Sequence, residues 1–372
     1  MMNISKPTLF IDKKRALRNI LRMVEKAKKN GVRFRPHFKT HQSAEIAEWF
    51  RQAGVSAITV SSADMAEYFA AHGWHDITLA FPLNFCEITK INLLARSIDL
   101  HVLLESEDSV HFLNQHLLKP VKVWIKIDSG YHRTGIPWND FSAIQSLSIA
   151  TEKSEKLSLQ GFLTHAGHSY QARSREEVRD IYRESVARMT MARCTAQEAV
   201  PNLSLEVSVG DTPGCSVSED FGDVDEIRPG NFIFYDLMQL EIGSCTEEEI
   251  SVTVGCPVVA KHPERQELVI YGGAIHLSKE ALCLPSAGGV TDTIYGRVVL
   301  PKERGWGPIR PESSVVRLSQ EHGIVHADPE LFSSLAPGDP LLIVPVHSCL
   351  TINLLRHYQT LDGERIDIAN IS

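Results

Sequence analysis

Eight short runs, each apolar or alternating and each closed by turn residues, limit this chain more than anything else in it. They span residues 32–39, 55–61, 77–81, 98–104, 121–128, 157–165, 203–209 and 227–235. Helical segments separate several of them: AEIAEWFRQAG after Ser43, ADMAEYFAAHG after Ser62, and SREEVRDIYRESVARMTMARCTAQEAV from Ser174. Ahead of the first strand, Asp12 is placed to cap a helix whose apolar positions are Leu17, Ile20, Leu21 and Val24 and which stops at Gly31. Eight strands alternating with helices predict a (β/α)8 TIM-type barrel, with its chemistry at the carboxyl ends of the strands.

Beyond about residue 240 the texture changes. EEEISVTVGCPVVAKHPERQELVIYGG, TIYGRVVL, SSVVRLSQEHGIV and DPLLIVPVHSC are strand-like runs parted by Gly, Pro and charged turns. The expectation is α/β: a barrel over residues 7–244, and a mostly antiparallel β domain over 245–372 that residues 1–6 join. A chain of 372 residues has room for both.

The net charge of -8 speaks against a nucleic-acid surface. MMNISKPTLFIDKKRALRN has no basic segment followed by a long apolar run, so no signal peptide is expected. Nor does any stretch approach the roughly 18 apolar residues of a membrane span. Seven scattered cysteines without a CxxC pair suit buried thiols in a reducing, cytoplasmic setting.

The first strand, VRFRPHFKTHQS, alternates Val32, Phe34, Pro36 and Phe38 with Arg33, Arg35, His37 and Lys39. In a barrel the apolar set packs outward on helices and the cationic set faces the interior, delivering Lys39 to the mouth. A partly desolvated lysine among cations has a lowered pKa and can attack a carbonyl cofactor; the plainer alternative is a solvated lysine at a strand end. Arg35 and His37, below Lys39 on the same face, are expected to tune it.

Other strand ends keep suitable company. Strand five closes in KIDSGYHRTGI, where Arg133 in a glycine-bounded loop could fork onto a phenolate or carboxylate. Strand six closes in GFLTHAGHSY, placing His165 at the mouth to stack on a flat ring, with His168 and Tyr170 beyond it. Strands seven and eight run into SVGDTPGCS and EIRPGNFIFYDLM, the glycine-bearing loops at which barrels hold phosphate. Singly, each also fits an ordinary turn or core residue.

In IVPVHSCLTINL, His347 and Cys349 are two apart and on a strand would share one face. An imidazole and a thiolate there can reach one zinc ion with positions left open, as catalysis wants; a histidine beside a small buried cysteine is the plainer alternative.

Taken in order, RPHFKTH, KIDSGYHRTG, GFLTHAGHSY, SVGDTPG, RPGNFIFYDLMQ, LSQEHG and PVHSC resemble the D-serine dehydratase and D-threonine aldolase family. These are pyridoxal-phosphate enzymes with an alanine-racemase-type barrel, and the resemblance runs from Pro7 to about Leu355. It implies that Lys39 binds pyridoxal 5'-phosphate covalently, that His165 packs on its ring, and that Arg133 lies near its phenolic oxygen. By the same resemblance Tyr170 is near the cofactor, and Gly210, Thr212, Gly230, Asn231 and Tyr235 hold the phosphate. The catalytic set implied is Lys39, Tyr170, His347 and Cys349.

His347 and Cys349 would form the metal site. The His-x-Cys form is similar to the zinc-dependent D-serine dehydratases, the aldolases carrying His-x-Asp with a harder cation; thiolate softness favours Zn2+. The function implied is a lyase eliminating water from a small D-β-hydroxy amino acid, D-serine giving pyruvate and ammonia. Retro-aldol cleavage to glycine and an aldehyde uses the same parts, and a non-catalytic pyridoxal-phosphate protein is a third reading, which the β domain and the His347/Cys349 pair disfavour. Tyr271 and His276 in YGGAIHLSKE depart from the family pattern and leave the substrate open to 3-hydroxyaspartate or another β-hydroxy D-amino acid. A homodimer is implied, with each active site finished by the partner's β domain.

Overall fold

The computed structural model describes residues 4–285 and 291–371. They divide into two compact units: one runs from Ile20 to Phe232 and includes the last residues from Ala369, the other takes in the chain through Asn19 and Ile233–Ile368.

β1 (Thr8–Ile11) and α1 (Lys13–Lys29) open the chain. Asp12 caps α1, its Oδ1 accepting the Arg15 N–H at 3.1 Å, while Lys26, Lys28 and Lys29 sit in the last turn, where a helix dipole favours cations. The first unit then alternates: β2 (Arg33–Phe34), α2 (Ala44–Gln52), β3 (Ala57–Val60), α3 (Ala63–Ala71), β4 (Asp76–Pro82), α4 (Ile88–Leu94), β5 (Asp99–Leu104), α5 (Glu107–His116) and β6 (Val121–Asp128). After a two-residue strand β7 (Ile136–Pro137) come α6 (Phe141–Glu152), β8 (Leu157–Leu163), α7 (Arg175–Ala199), β9 (Glu206–Val209), α8 (Thr212–Val217) and β10 (Glu226–Ile227). Ser62, Ser106 and Ser174 each accept a backbone N–H three residues on, which starts α3, α5 and α7; the first and last of these helices begin where the sequence places them.

The eight parallel strands run in the order β2-β10-β9-β8-β6-β5-β4-β3. A parallel bridge between His37 and Thr59 closes the ring: Phe38 N–H donates to Thr59 O at 2.8 Å and Thr59 N–H to Pro36 O at 2.9 Å. The barrel is therefore complete.

Two expected strands are much shorter than their sequence pattern, for one reason. Proline has no N–H to give a ladder. The 32–39 run is regular only over Arg33–Phe34 because Pro36 interrupts it, and the 227–235 run stops at Ile227 ahead of Pro229. Lys39 consequently sits in a turn rather than in the strand, and is exposed.

The alternation within 32–39 survives the break. Phe38 is fully buried, its ring 5.0 Å from those of Phe50 and Phe69 and 5.1 Å from Trp74, so it packs on α2 and α3. Truncating such a ring costs about 3–5 kcal/mol.

The expectation that Arg35 tunes Lys39 is corrected. Arg35 is 3% exposed and its Nε lies 2.7 Å from Glu226 Oε2, while Nη1 pairs with Asp76. Its charge is thus committed to carboxylates at the amino ends of β4 and β10. Glu226, wholly buried, also accepts from Ser208 Oγ at 2.7 Å. A buried charge persists only when paired in this way.

The second unit contains α9 (Leu237–Ile242), β11 (Val252–His262), β12 (Glu267–Tyr271), α10 (Ala274–Leu277), β13 (Leu282–Pro285), β14 (Thr291–Ile294), β15 (Gly296–Val299) and β16 (Arg310–Leu318). β17 (His322–His326), α11 (Pro329–Ser334), β18 (Pro340–Pro345), α12 (Ser348–Leu355), β19 (His357–Thr360) and β20 (Arg365–Asp367) complete it. β11, β12, β17, β16, β15 and β18 pair antiparallel around a closed ring, since β11 bonds both β18 and β12. β1 joins β11 antiparallel and carries β19 and β20 beyond it. Among the described residues β13 and β14 pair only with each other.

His347 and Cys349 do not lie on a strand, which overturns the shared-face argument. β18 ends at Pro345, His347 is the residue that opens α12, and Cys349 is in its first turn.

Candidate active site

At the mouth of the first unit, β6 ends at Asp128, whose Oδ1 accepts the N–H groups of Gly130, Tyr131 and His132 at 2.9, 3.0 and 3.0 Å. Three donors on one carboxylate oxygen fix the loop and hold Asp128 below its usual range even though burial opposes this. The loop so tied presents Arg133, whose guanidinium lies 5.0 Å from the Tyr131 ring centre. Beyond β8, His165 Nδ1 donates to Gly210 O at 2.5 Å, which sets the ring plane. Burial first, and then the charges of Lys39 and Arg133, keep His165 well below its ordinary pKa. It is a neutral imidazole, suited to packing on a flat ring without adding charge.

Tyr170 stands in a short turn of helix after His165, its ring 6.3 Å from that of His165, and its hydroxyl accepts the Thr212 N–H at 3.4 Å. Asp211 caps α8 by accepting the Gly214 N–H at 2.5 Å and the Ser169 hydroxyl at 2.9 Å; burial raises its pKa to about 6. Gly210 abuts Arg228, and a Cβ at Gly210 would come 3.0 Å from the Arg228 Cβ. At Gly230 a Cβ would come 2.7 Å from Thr40 Oγ1 and 3.0 Å from His37 O. Glycine is required there by close backbone approach, and Asn231 follows it, buried.

Two interior cations were not foreseen. Lys126 on β6 is 6% exposed and donates to Ile127 O at 2.8 Å. Burial, with Arg228 and Arg133 nearby, lowers its pKa to about 7. Arg228 is 4% exposed, donates to Ser208 Oγ at 2.7 Å and to Thr164 O, and has its pKa lowered to about 10 by burial. Both could have been noticed as charged residues at alternate positions in otherwise apolar runs, VKVWIKID and DVDEIRPG. His37 is likewise held neutral by burial and by Lys39, Arg228 and Arg133.

This donor set fits an anionic phosphorylated cofactor. Lys39 and Arg133 act electrostatically on both His37 and His165, Arg228 on His37 and Lys126 on His165. Thr212 Oγ1 is buried without a hydrogen-bond partner beside the glycine loops, a hydroxyl that a phosphate oxygen would satisfy.

The second unit carries the other cluster. Tyr235, buried and at φ 50°, stands near the start of its main segment. Asp236 next to it is fully buried and caps α9 through the Gln239 N–H at 3.0 Å. Its other oxygen accepts the Ser348 N–H at 2.9 Å and the Ser348 hydroxyl at 3.1 Å, and lies 3.3 Å from His347 Nδ1. Burial opposes charge on His347, but Cys349 and Asp236 outweigh it and hold the pKa well above its ordinary value. The imidazole and thiol are thus neighbours, and a buried Nδ1 lacks an aligned hydrogen bond. Such an N,S pair fits zinc. Asp236 also went unforeseen, although a carboxylate within the apolar run NFIFYDLM marks it.

Among the described residues the one group of three metal-capable side chains is Asp76, Asp99 and His101. Its carboxylates already have cations, Arg35 on Asp76 and Lys122 at 2.5 Å from Asp99, so it is an ion-pair cluster at the amino end of the barrel. Tyr271 and His276 lie in the second unit with ring centres 5.5 Å apart, and His276 Nδ1 accepts the Gly273 N–H at 3.2 Å.

The chain matches the family described as alanine racemase, N-terminal domain, over residues 11–237, and a putative serine dehydratase domain over 251–361. D-threo-3-hydroxyaspartate dehydratase of Delftia sp. strain HT23 is 30% identical over 98% of this chain and 96% of its own. Its solved structure superposes with a TM-score of 0.89 at 28% identity, covering 99% of this chain and 98% of that one. Solved variants of it include a histidine-to-alanine and a cysteine-to-alanine form two positions apart, the latter metal-free. D-serine dehydratase of Dictyostelium discoideum is 27% identical over 97% of this chain and 94% of its own.

Proposed function

The chain belongs to the D-serine dehydratase and D-threonine aldolase family of pyridoxal-phosphate enzymes with an alanine-racemase-type barrel, and on that premise we propose that it is a zinc-dependent dehydratase of D-serine. That it is a lyase acting on D-hydroxy amino acids follows from its relatives. The observation that carries the zinc dependence is the imidazole–thiol pair of His347 and Cys349 backed by a buried carboxylate; D-serine as substrate is taken from the dehydratase relatives. The Delftia enzyme's histidine and cysteine variants have the same two-residue spacing, which supports a metal at this pair.

Pyridoxal phosphate, when bound, supplies an electron sink for charge developing at the substrate Cα. Lys39, on the turn that follows β2, would hold it and move the Cα proton. Arg133 offers a fork of donors to an anionic oxygen. His165, locked by Gly210 O and kept neutral, packs against the ring. The Gly210–Thr212 and Gly230–Asn231 backbones and Thr212 Oγ1 receive phosphate, and Tyr235 and Tyr170 complete the set. His347 and Cys349 would hold zinc, which would supply Lewis-acid chemistry for loss of the β-hydroxyl.

The same reading takes the protein as a cytoplasmic homodimer acting on a free amino acid. Among the described residues no helix is long and apolar enough to cross a membrane. Incubation with D-serine, L-serine, D-threonine and D-threo-3-hydroxyaspartate, with keto acid and glycine assayed separately, tests the assignment. Pyruvate from D-serine alone of the two serine enantiomers is expected; glycine as the main product from D-threonine would replace dehydration by aldol cleavage.

A further inference from the structure

Asp236 does more than cap a helix. Its two oxygens have separate duties: Oδ1 accepts from the Gln239 N–H at the start of α9, and Oδ2 faces the start of α12. There Oδ2 meets the Ser348 N–H, the Ser348 hydroxyl and, at 3.3 Å, His347 Nδ1. A cap needs only the first two contacts. The third places a wholly buried carboxylate against one nitrogen of the histidine and not the other.

Two lone pairs cannot face each other in a dry interior, so the imidazole nitrogen turned to Asp236 is the one that carries hydrogen. Among the described residues that nitrogen makes no aligned hydrogen bond to any other group. A metal ion can then take the place only of the hydrogen on the other nitrogen, Nε2, whose lone pair it receives. We propose that Asp236 is the positioning residue of the metal site, holding His347 as the Nδ1–H tautomer so that Nε2 is the ligand atom. A carboxylate on the far nitrogen also makes the imidazole a more basic donor, and losing such a partner weakens metal binding about 10- to 100-fold. The inference rests on the reading of His347 and Cys349 as the zinc ligands.

The test measures zinc affinity by competition with a chromogenic chelator on the cofactor-loaded full chain, for the parent, Asp236→Asn and His347→Ala. Asp236→Asn is isosteric and keeps a carbonyl oxygen for capping, but it can present an amide N–H to Nδ1. The expected result is about 10- to 100-fold weaker zinc binding in Asp236→Asn, with the cofactor absorbance retained. Parent-like affinity, within about twofold, in Asp236→Asn alongside loss in His347→Ala overturns the positioning role alone. Parent-like affinity in His347→Ala overturns the metal-site reading and the role together.

Should Asp236→Asn fail to fold, histidine-labelled 15N spectra of the zinc-loaded parent decide the matter. The resonances absent from His347→Ala must show a protonated Nδ1 and a metal-bound Nε2; a metal-bound Nδ1 overturns the proposal.

Discussion

Lys126→Met is the substitution whose consequence can be worked furthest from the structure. Lys126 sits inside the barrel with its pKa lowered to about 7 by burial and by Arg228 and Arg133, against 10.5 for an unperturbed lysine. Between those two values the unfolded chain binds one more proton than the folded one, so folding stability rises with pH there. The slope from this one group is about 1.4 kcal/mol per pH unit. Over the whole interval the folded protein recovers roughly 4–5 kcal/mol. Below about pH 7 the cost of the buried charge is fully present.

Methionine has similar length and no charge, so Lys126→Met removes that cost. The apoproteins, parent and variant, are unfolded by denaturant at pH 7, 8, 9 and 10, and the difference in stability is followed. Other titrating groups, such as Arg228, cancel in this difference. The variant should be more stable by roughly 4 kcal/mol at pH 7, with the advantage shrinking by about 1.4 kcal/mol per pH unit above it. A difference that stays flat with pH would refute the account, because Lys126 would then titrate as it does in the unfolded chain. With the anionic cofactor bound, the protonated lysine gains a counter-charge and the slope should flatten.

Three further outcomes follow from named contacts. Lys39→Ala should lose the visible absorbance of covalently held cofactor; a retained band would remove Lys39 from its role. Cys349→Ala should bind less than one zinc per chain and give little pyruvate from D-serine, both read after metal analysis of the purified protein. Glu226→Gln leaves Arg35 short of a buried partner and should destabilise the first unit by about 3–5 kcal/mol, seen as a lower unfolding midpoint. Since Glu226 has a depressed pKa, its contribution in the parent is present at neutral pH and disappears as the solution is acidified below the ordinary glutamate range.

The barrel was legible because its signal is repeated eight times and depends on periodicity, which local sequence carries. What was illegible came from single residues acting at a distance. Pro36 and Pro229 each cut a strand that the alternation around them extends. Arg35 looked like part of a cationic row until Glu226 and Asp76, far along the chain, were seen to take its charge. The PVHSC segment is apolar enough for a strand, yet Asp236 receives the Ser348 N–H and lets a helix start there. That same long-range contact is why the carboxylate behind His347 could not be placed from spacing. Lys39, Arg133 and His165 could be nominated from the sequence because each lies in the stretch just beyond a barrel strand, where the fold places the chemistry.

The central claim is that Lys39 with pyridoxal phosphate and His347 with Cys349 and zinc together remove water from D-serine. Its most direct test is the stoichiometry of pyruvate and ammonia from D-serine before zinc removal, after it, and after zinc is restored. The account predicts equimolar pyruvate and ammonia, lost on complete chelation and recovered with zinc. Pyruvate formation that persists in metal-free protein would contradict it.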